Sequence, residues 1–191
     1  MVDLPYERNV EIVLLVASPH SRYEGRPSDG PLPPVGNETP SSIELRAGLG
    51  IVGDRYYAKP AHAHASVTIM AVESLDLVAD DLGLPHTLDP EATRRNILVR
   101  GVNIDALRDA TISLDTGNGP VQFLVNRPAN PCAWMNVVLA PGAHRALRGR
   151  GGMRCEPTTS GTLTLGPAVL RSSVPLEAAP TSQLQGVRRS E

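Results

Sequence analysis

The sequence predicts a mainly β protein, a closed or partly closed barrel with several short inserted helices. Two observations carry this expectation. The chain holds about seven or eight short apolar runs rich in β-branched residues, separated by Gly, Pro, Asn and Ser clusters. It also lacks the repeating strand–helix–strand alternation that a doubly wound parallel sheet requires, so closure of the strands on themselves is the better solution.

The elements follow in order. Residues 11–17 (EIVLLVA) form an apolar run of strand length. Residues 18–42 are rich in Pro, Gly and Ser, and a connection of that length in a compact domain is expected to be a lid or a mobile segment. A short strand is expected at 43–46, a Gly-rich turn at 48–54 (GLGIVGD) and a buried strand at 67–71 (VTIMA). Val72, Leu75, Val78, Ala79 and Leu82 recur at helical spacing, and Gly83 and Pro85 end that helix. Asp89 followed by Pro90 reads as a cap and first helical position, for a short helix running to Arg94. Strands are expected at 97–99, 111–114 and 121–125, the last two joined by the turn-rich DTGNGP. Pro131 is expected to open a helix through 139, and Pro141 another through 147. Residues 153–157 and 163–170 read as the last hairpin. One domain is expected over 1–172, with 173–191 a disordered tail.

Composition narrows the function. The formal net charge is −2, without the basic excess of a general nucleic-acid binder, and only 3% of residues are aromatic, too few for a base-stacking platform. No run reaches the roughly 20 apolar residues that span a bilayer, and Asp3 and Glu7 carry the wrong charge for a secretory signal. Two cysteines make no disulfide framework. These features predict a cytoplasmic protein with reduced thiols and neither a nucleic-acid nor a membrane partner. Basic residues are clustered instead, at Arg94–Arg95 and at Arg145, Arg148, Arg150 and Arg154, which suits a small anionic ligand.

Four constellations are candidates for chemistry. Cys132 stands in NRPANPC (126–132) rather than in an apolar run. If Pro131 opens a helix, Cys132 lies in its first turn, where unsatisfied N–H groups and the helix dipole favour a thiolate, with Arg127 close along the chain. The alternative is a buried packing thiol, which is the expected role of Cys155 inside MRCEP. ALRGRGGMR (146–154) alternates glycine and arginine, a pattern suited to cradling an anion or simply to a solvated turn. In ATRRNILVRG (92–101), Asn96 offers both a donor and an acceptor to a heterocycle edge, and the arginines also suit a plain helix terminus. The HAH at 62–64 is a possible metal pair whose third ligand would have to be Asp54 or His86.

Taken in order, GLGIVGDRYY (48–57), RRNILVRGVNIDAL (94–107), NRPANPC (126–132) and PGAHRALRGRGGMRCEPTTSGTLTLGP (141–167) resemble the MOSC domain family, named for the C-terminal domain of molybdenum cofactor sulfurase. The resemblance covers about residues 10–171. It implies a MOSC-type β-barrel that binds molybdenum cofactor, a molybdopterin, or a related anionic ligand. It implies Cys132 as a persulfide sulfur carrier or a molybdenum ligand, and cofactor contacts from Asp54, Arg55, Arg94, Arg95, Asn96, Arg127, Asn130, Arg150 and Gly151. The implied partner is a cysteine desulfurase for sulfur transfer, or a separate electron donor if the chain instead reduces N-hydroxylated substrates. A non-enzymatic ligand-binding barrel is the third possibility. The family is also associated with pyridoxal-phosphate-dependent domains, of which this sequence shows none. Reductase-type members carry a His-Gly-Gly stretch where this chain reads KPAHAHAS (59–66).

Overall fold

The computed structural model describes residues 2–181. Among the described residues ten strands form: β1 (Tyr6–Leu15), β2 (Ser42–Arg46), β3 (Gly50–Ile51), β4 (Val67–Ala71), β5 (Ile97–Arg100), β6 (Thr111–Asp115), β7 (Val121–Pro128), β8 (Met153–Pro157), β9 (Gly161–Thr164) and β10 (Gly166–Ser172). Seven of them close a barrel in the order β1-β10-β6-β7-β8-β4-β5, and β3-β2-β9 make a small side sheet. The expected mainly β barrel is the observed architecture. Helices are few and short: α1 (Glu73–Asp81), α2 (Met135–Val138) and α3 (Ala143–Ala146).

Side-chain alternation fills the barrel. Ile12, Val67, Ile69, Ile97, Val99, Ile112, Leu114, Val121, Phe123, Val125, Cys155 and Leu170 meet in one cluster, which Ile43, Leu45, Ile51 and Leu163 extend beneath the side sheet. All five residues of β4 are buried because both faces are covered. Ile69 belongs to the barrel cluster, while Met70 belongs to a second cluster with Leu75, Val78 and Ala79 of α1, Trp134, Met135, Ala143 and Leu147. The helical spacing seen from Val72 to Leu82 is therefore a face packed on the outside of β4. The chain leaves β4 through α1 and returns in β5, which lies parallel to β4. The first and last barrel strands pair antiparallel from Tyr6 opposite Ser172 to Ile12 opposite Gly166.

Several local expectations need correction. Residues 163–170 are not one strand: Gly166, at φ +108°, breaks the run, sending β9 to pair with β2 and β10 to pair with β1 and β6. No hairpin joins β8 to the strand that follows, since β8 lies between β7 and β4. After Asp89–Pro90 comes only a single 3-10 turn, Glu91–Thr93, although Asp89 Oδ1 does accept the Glu91 N–H at 2.9 Å. Arg94 then takes the left-handed conformation, φ +56°, which stops any helix. Residues 173–181 hold to the barrel: the Ser173 N–H donates to Thr111 O at 2.9 Å, the Asn103 N–H to Glu177 O at 3.0 Å, and Val174 and Leu176 pack on the core. The remainder of the expected tail lies outside the described residues.

Candidate functional site

A buried polar knot holds the site together. Asp54 Oδ2 accepts the Ser18 N–H and an Asn96 amide hydrogen, both at 3.2 Å, and its Oδ1 accepts the Tyr56 N–H at 3.0 Å. The second Asn96 amide hydrogen goes to Val16 O at 3.0 Å, and Asn96 Oδ1 accepts from both the N–H and the hydroxyl of Thr68 at 2.9 Å. Every donor and acceptor of the Asn96 side chain is consumed, so its amide is not offered to a pterin edge as the sequence suggested. Asp54 is likewise spent internally. Together they lock the exit of β1, the 54–57 turn and the entries of β4 and β5. That fixes Arg55 and Arg95, their neighbours in sequence.

Arg95 reaches across to the segment after β7. Its Nε donates to Gly151 O at 2.9 Å and its Nη2 to Ala129 O at 2.5 Å. Burial, above all, pushes its pKa down to about 10; Arg154 and Arg55 push the same way, and Cys132 and Asp105 oppose them. Arg95 thus sits among Arg154, Cys132, Asp105 and Arg55. Asp105 anchors the same seam by accepting the Gly152 N–H at 2.9 Å; burial raises its pKa, against the opposing pull of that bond and of Arg95 and Arg150.

The register between β7 and β8 shifts between Val125 and Arg127, and this bulge sets Arg127 directly opposite Arg154. Bulges re-aim side chains in this way, and two like charges opposite each other are unfavourable unless something negative joins them. Both arginines line a cleft of about 290 Å³ with Tyr56, His62, Pro128 and Asn130. The Arg55 guanidinium lies 4.6 Å above the Tyr56 ring, whose centroid is 4.5 Å from that of His62. Cys132 is exposed, whereas Cys155 is sealed in the barrel, where burial pushes its thiol pKa up. Pro131 does not open a helix. Cys132 precedes α2 in a turn, its carbonyl accepting the Met135 N–H at 3.0 Å, so the helix-dipole account of its reactivity falls away.

Of the residues singled out in the sequence, Arg55, Arg95, Arg127, Asn130 and Cys132 fall in this region. The other five, Asp54, Arg94, Asn96, Arg150 and Gly151, are placed otherwise: Asp54 and Asn96 are spent in the buried knot. Arg150 turns to α1 and pairs with Asp81 at 2.9 Å. Gly151 and Gly152 form a packing seam rather than an anion cradle: a Cβ on Gly151 would lie 2.7 Å from Ala129 O, and one on Gly152 2.4 Å from Ile69 O. Arg94 points to the opposite side from Arg95, under the 18–42 segment. Tyr56 is the residue that the sequence reading misses; Arg154 stands in its Gly-Arg cluster, and His62 enters it only as half of a metal pair. Alternation along β8 alone would have marked Arg154, because it lies between the inward residues Met153 and Cys155. His62 and His64 diverge, His62 toward Tyr56 and His64 Nδ1 to Glu156 Oε2 at 2.5 Å. Among the described residues no group of three or more His, Cys, Asp or Glu is placed to hold a metal, and no helix is long and apolar enough to cross a membrane.

A closed seven-strand barrel with a small side sheet and few short helices defines a mainly β barrel protein. The chain belongs to the MOSC domain family, whose sequence profile matches residues 53–170, more than half of its length. Solved structures share the fold. YuaD from Bacillus subtilis superposes with a TM-score of 0.67 at 17% identity, covering 88% of this chain and 98% of that one. YiiM from Geobacillus stearothermophilus gives 0.53 at 11% identity, covering 90% and 75%, and YiiM from Escherichia coli 0.52 at 14%, covering 89% and 70%. No curated protein matches the sequence.

Proposed function

We propose that this barrel binds molybdenum cofactor, or a related anionic ligand, in the cleft beside Cys132, and that Cys132 serves as a persulfide sulfur carrier or a molybdenum ligand. The observation that supports it best is the placing of Arg127 opposite Arg154 across the β7 bulge, with the exposed Cys132 and Arg154 both acting electrostatically on Arg95. The donor set fits the group: guanidinium forks suit phosphate oxygens, and a thiolate suits a soft metal or sulfur. Arg127 and Arg154 would hold the phosphate and Asn130 the neighbouring polar edge. Arg95 would position the 129–132 turn through its contact with Ala129 O, itself held by its contact with Gly151 O. When bound, the cofactor would supply the metal and dithiolene chemistry.

As a carrier, the Cys132 thiolate would attack the outer sulfur of a donor persulfide. The new S–S bond forms on Cys132, and the donor cysteine leaves as thiolate with the electron pair of the broken bond. A cysteine desulfurase is the matching class of donor. Localisation in the cytoplasm, where thiols stay reduced, is part of the same proposal.

The test is metal and pterin content of gently purified protein beside its Cys132→Ser variant, with a persulfide assay after incubation with a cysteine desulfurase and cysteine. Molybdenum present in the parent and lost in the variant supports the ligand role, and sulfane sulfur on Cys132 supports the carrier role. Protein that acquires neither, even when supplied with cofactor and desulfurase, overturns both.

A further inference from the structure

The histidines at 62 and 64 sit on a short 3-10 turn, Pro60–Ala65, that is fastened to the arginine cleft. Asn126 is the extra residue of the β7 bulge, and its side-chain amide donates to His64 O at 2.8 Å. The bulge that sets Arg127 opposite Arg154 therefore grips the histidine-bearing turn as well. His62 is half-buried and lines the cleft with both arginines, beside the Tyr56 ring that carries the Arg55 guanidinium. His64 turns outward, its side chain 82% exposed, and its Nδ1 meets Glu156 Oε2 at 2.5 Å.

Charge at this corner is unbalanced. None of the residues lining the cleft is acidic, so nothing there offsets Arg127 and Arg154. Alternation along β8 puts Arg154 and Glu156 on the same outward side. Two residues along a strand are about 7 Å apart, a gap that long side chains on one face bridge. Glu156 nevertheless turns to His64. Histidine is the side chain that exchanges its charge between about pH 5 and 8, and a charge-assisted bond to a carboxylate is about twice as strong as a neutral one. His64 therefore holds Glu156 firmly when protonated and loosely when neutral. His62 adds to the positive charge of the cleft only when protonated.

We propose that His62 is a third anion-binding group of the cleft and His64 a positioning residue that keeps Glu156 away from Arg154. The cleft then takes a dianionic, phosphate-like group, and takes it more tightly as pH falls. In acid, His62 joins Arg127 and Arg154 around the dianion while Glu156 stays with His64. In alkali, His62 is neutral and Glu156 is released toward Arg154, where its carboxylate competes with the ligand. The other charged groups at this corner are Arg55, Lys59, Arg127 and Arg154, all basic, and Tyr56 is the remaining titratable one. The inference rests on the cleft being the phosphate site of the cofactor reading, and adds to that reading the ligand's charge and its control by protons.

Sulfate is the probe, because it stays dianionic throughout this range and phosphate does not. Calorimetry on the full-length protein at constant ionic strength should show sulfate binding about tenfold tighter at about pH 5.5 than at about pH 8. His62→Gln should lose most of that difference while keeping the parent's affinity at the higher pH. His64→Gln should weaken binding about threefold at the lower pH. Adding Glu156→Gln should then restore it, which a merely structural role for His64 would not do. A parent with equal affinity at both pH values, or a His62→Gln variant with the parent's pH dependence, overturns the role of His62. Failure of Glu156→Gln to restore binding overturns that of His64. The parent's comparison needs no substitution, so it stands even if a variant fails to fold. Arg154→Gln separates the two readings. If that variant binds sulfate as well as the parent does, the cleft itself fails as the phosphate site of the cofactor reading. If it loses binding while the parent shows no pH dependence, only the histidine roles fail.

Discussion

Replacing Asn96 with alanine separates structural from ligand-binding roles at this rim. The substitution removes four hydrogen bonds, to Thr68 N–H, the Thr68 hydroxyl, Val16 O and Asp54 Oδ2. The Thr68 N–H and the Asp54 carboxylate then remain buried with fewer partners. At about 1–3 kcal/mol for each buried group left unsatisfied, the loss sums to about 3–5 kcal/mol. That is about a fifth or more of the roughly 5–15 kcal/mol that holds a typical domain folded. For a chain of this size it lowers the melting temperature by about 10 °C. Urea unfolding and calorimetry measure the loss, with Asn130→Ala, exposed in the cleft, as the control expected to change stability by less than about 0.5 kcal/mol. A loss below about 1 kcal/mol at Asn96 would show that the knot does not bear on stability and would return Asn96 to the list of ligand contacts.

Other outcomes follow from the same fold. Gly152→Ala should destabilise strongly, by about 2–4 kcal/mol in chemical denaturation, because φ is +81° and the new methyl meets Ile69 O and Met70. A thiol reagent should modify one cysteine in the native protein and two after unfolding, and Cys132→Ser should remove the native reaction altogether. The Tyr23 pKa is raised to about 12, first by burial, then by Asp89 and Cys132, against the pull of Arg94 and Arg22. The protonated ring is the form the fold favours, so its contribution is complete below pH 10 and is lost between pH 10 and 12. Acrylamide quenching of Trp134, on which the Tyr23 ring stacks, should rise over that window and stay flat in Tyr23→Phe. Arg154→Gln should relieve the cross-strand repulsion with Arg127, leaving stability equal or slightly higher while weakening pyrophosphate binding in the cleft, as read by calorimetry.

Much of the architecture could be seen in the linear chain because period and punctuation agree. β4 reads as an unbroken apolar run since both its faces are covered, and α1 keeps a 3.6-residue stripe ended by glycine. What escaped depends on long-range partners. The break at Gly166 splits one apolar run between two sheets, and only the distant strands β2 and β1 make that division worthwhile. Arg94 and Arg95 are indistinguishable in sequence, yet a left-handed backbone at the first sends their side chains to opposite sides. Asn96 has the functional groups for recognition, but Thr68 and Asp54 take all of them. The Gly-Arg alternation at 148–152 suggests a phosphate cradle, and its glycines instead admit the carbonyls of Ala129 and Ile69.

The pairing of the opening strand with the closing one, Tyr6 beside Ser172, brings the chain in and out at a shared edge of the barrel. A barrel built this way can be cut at an exposed turn such as 116–119 and closed by a short linker between residues 6 and 172, without unthreading a single strand. Modularity of that kind follows from where the seam of the cylinder lies.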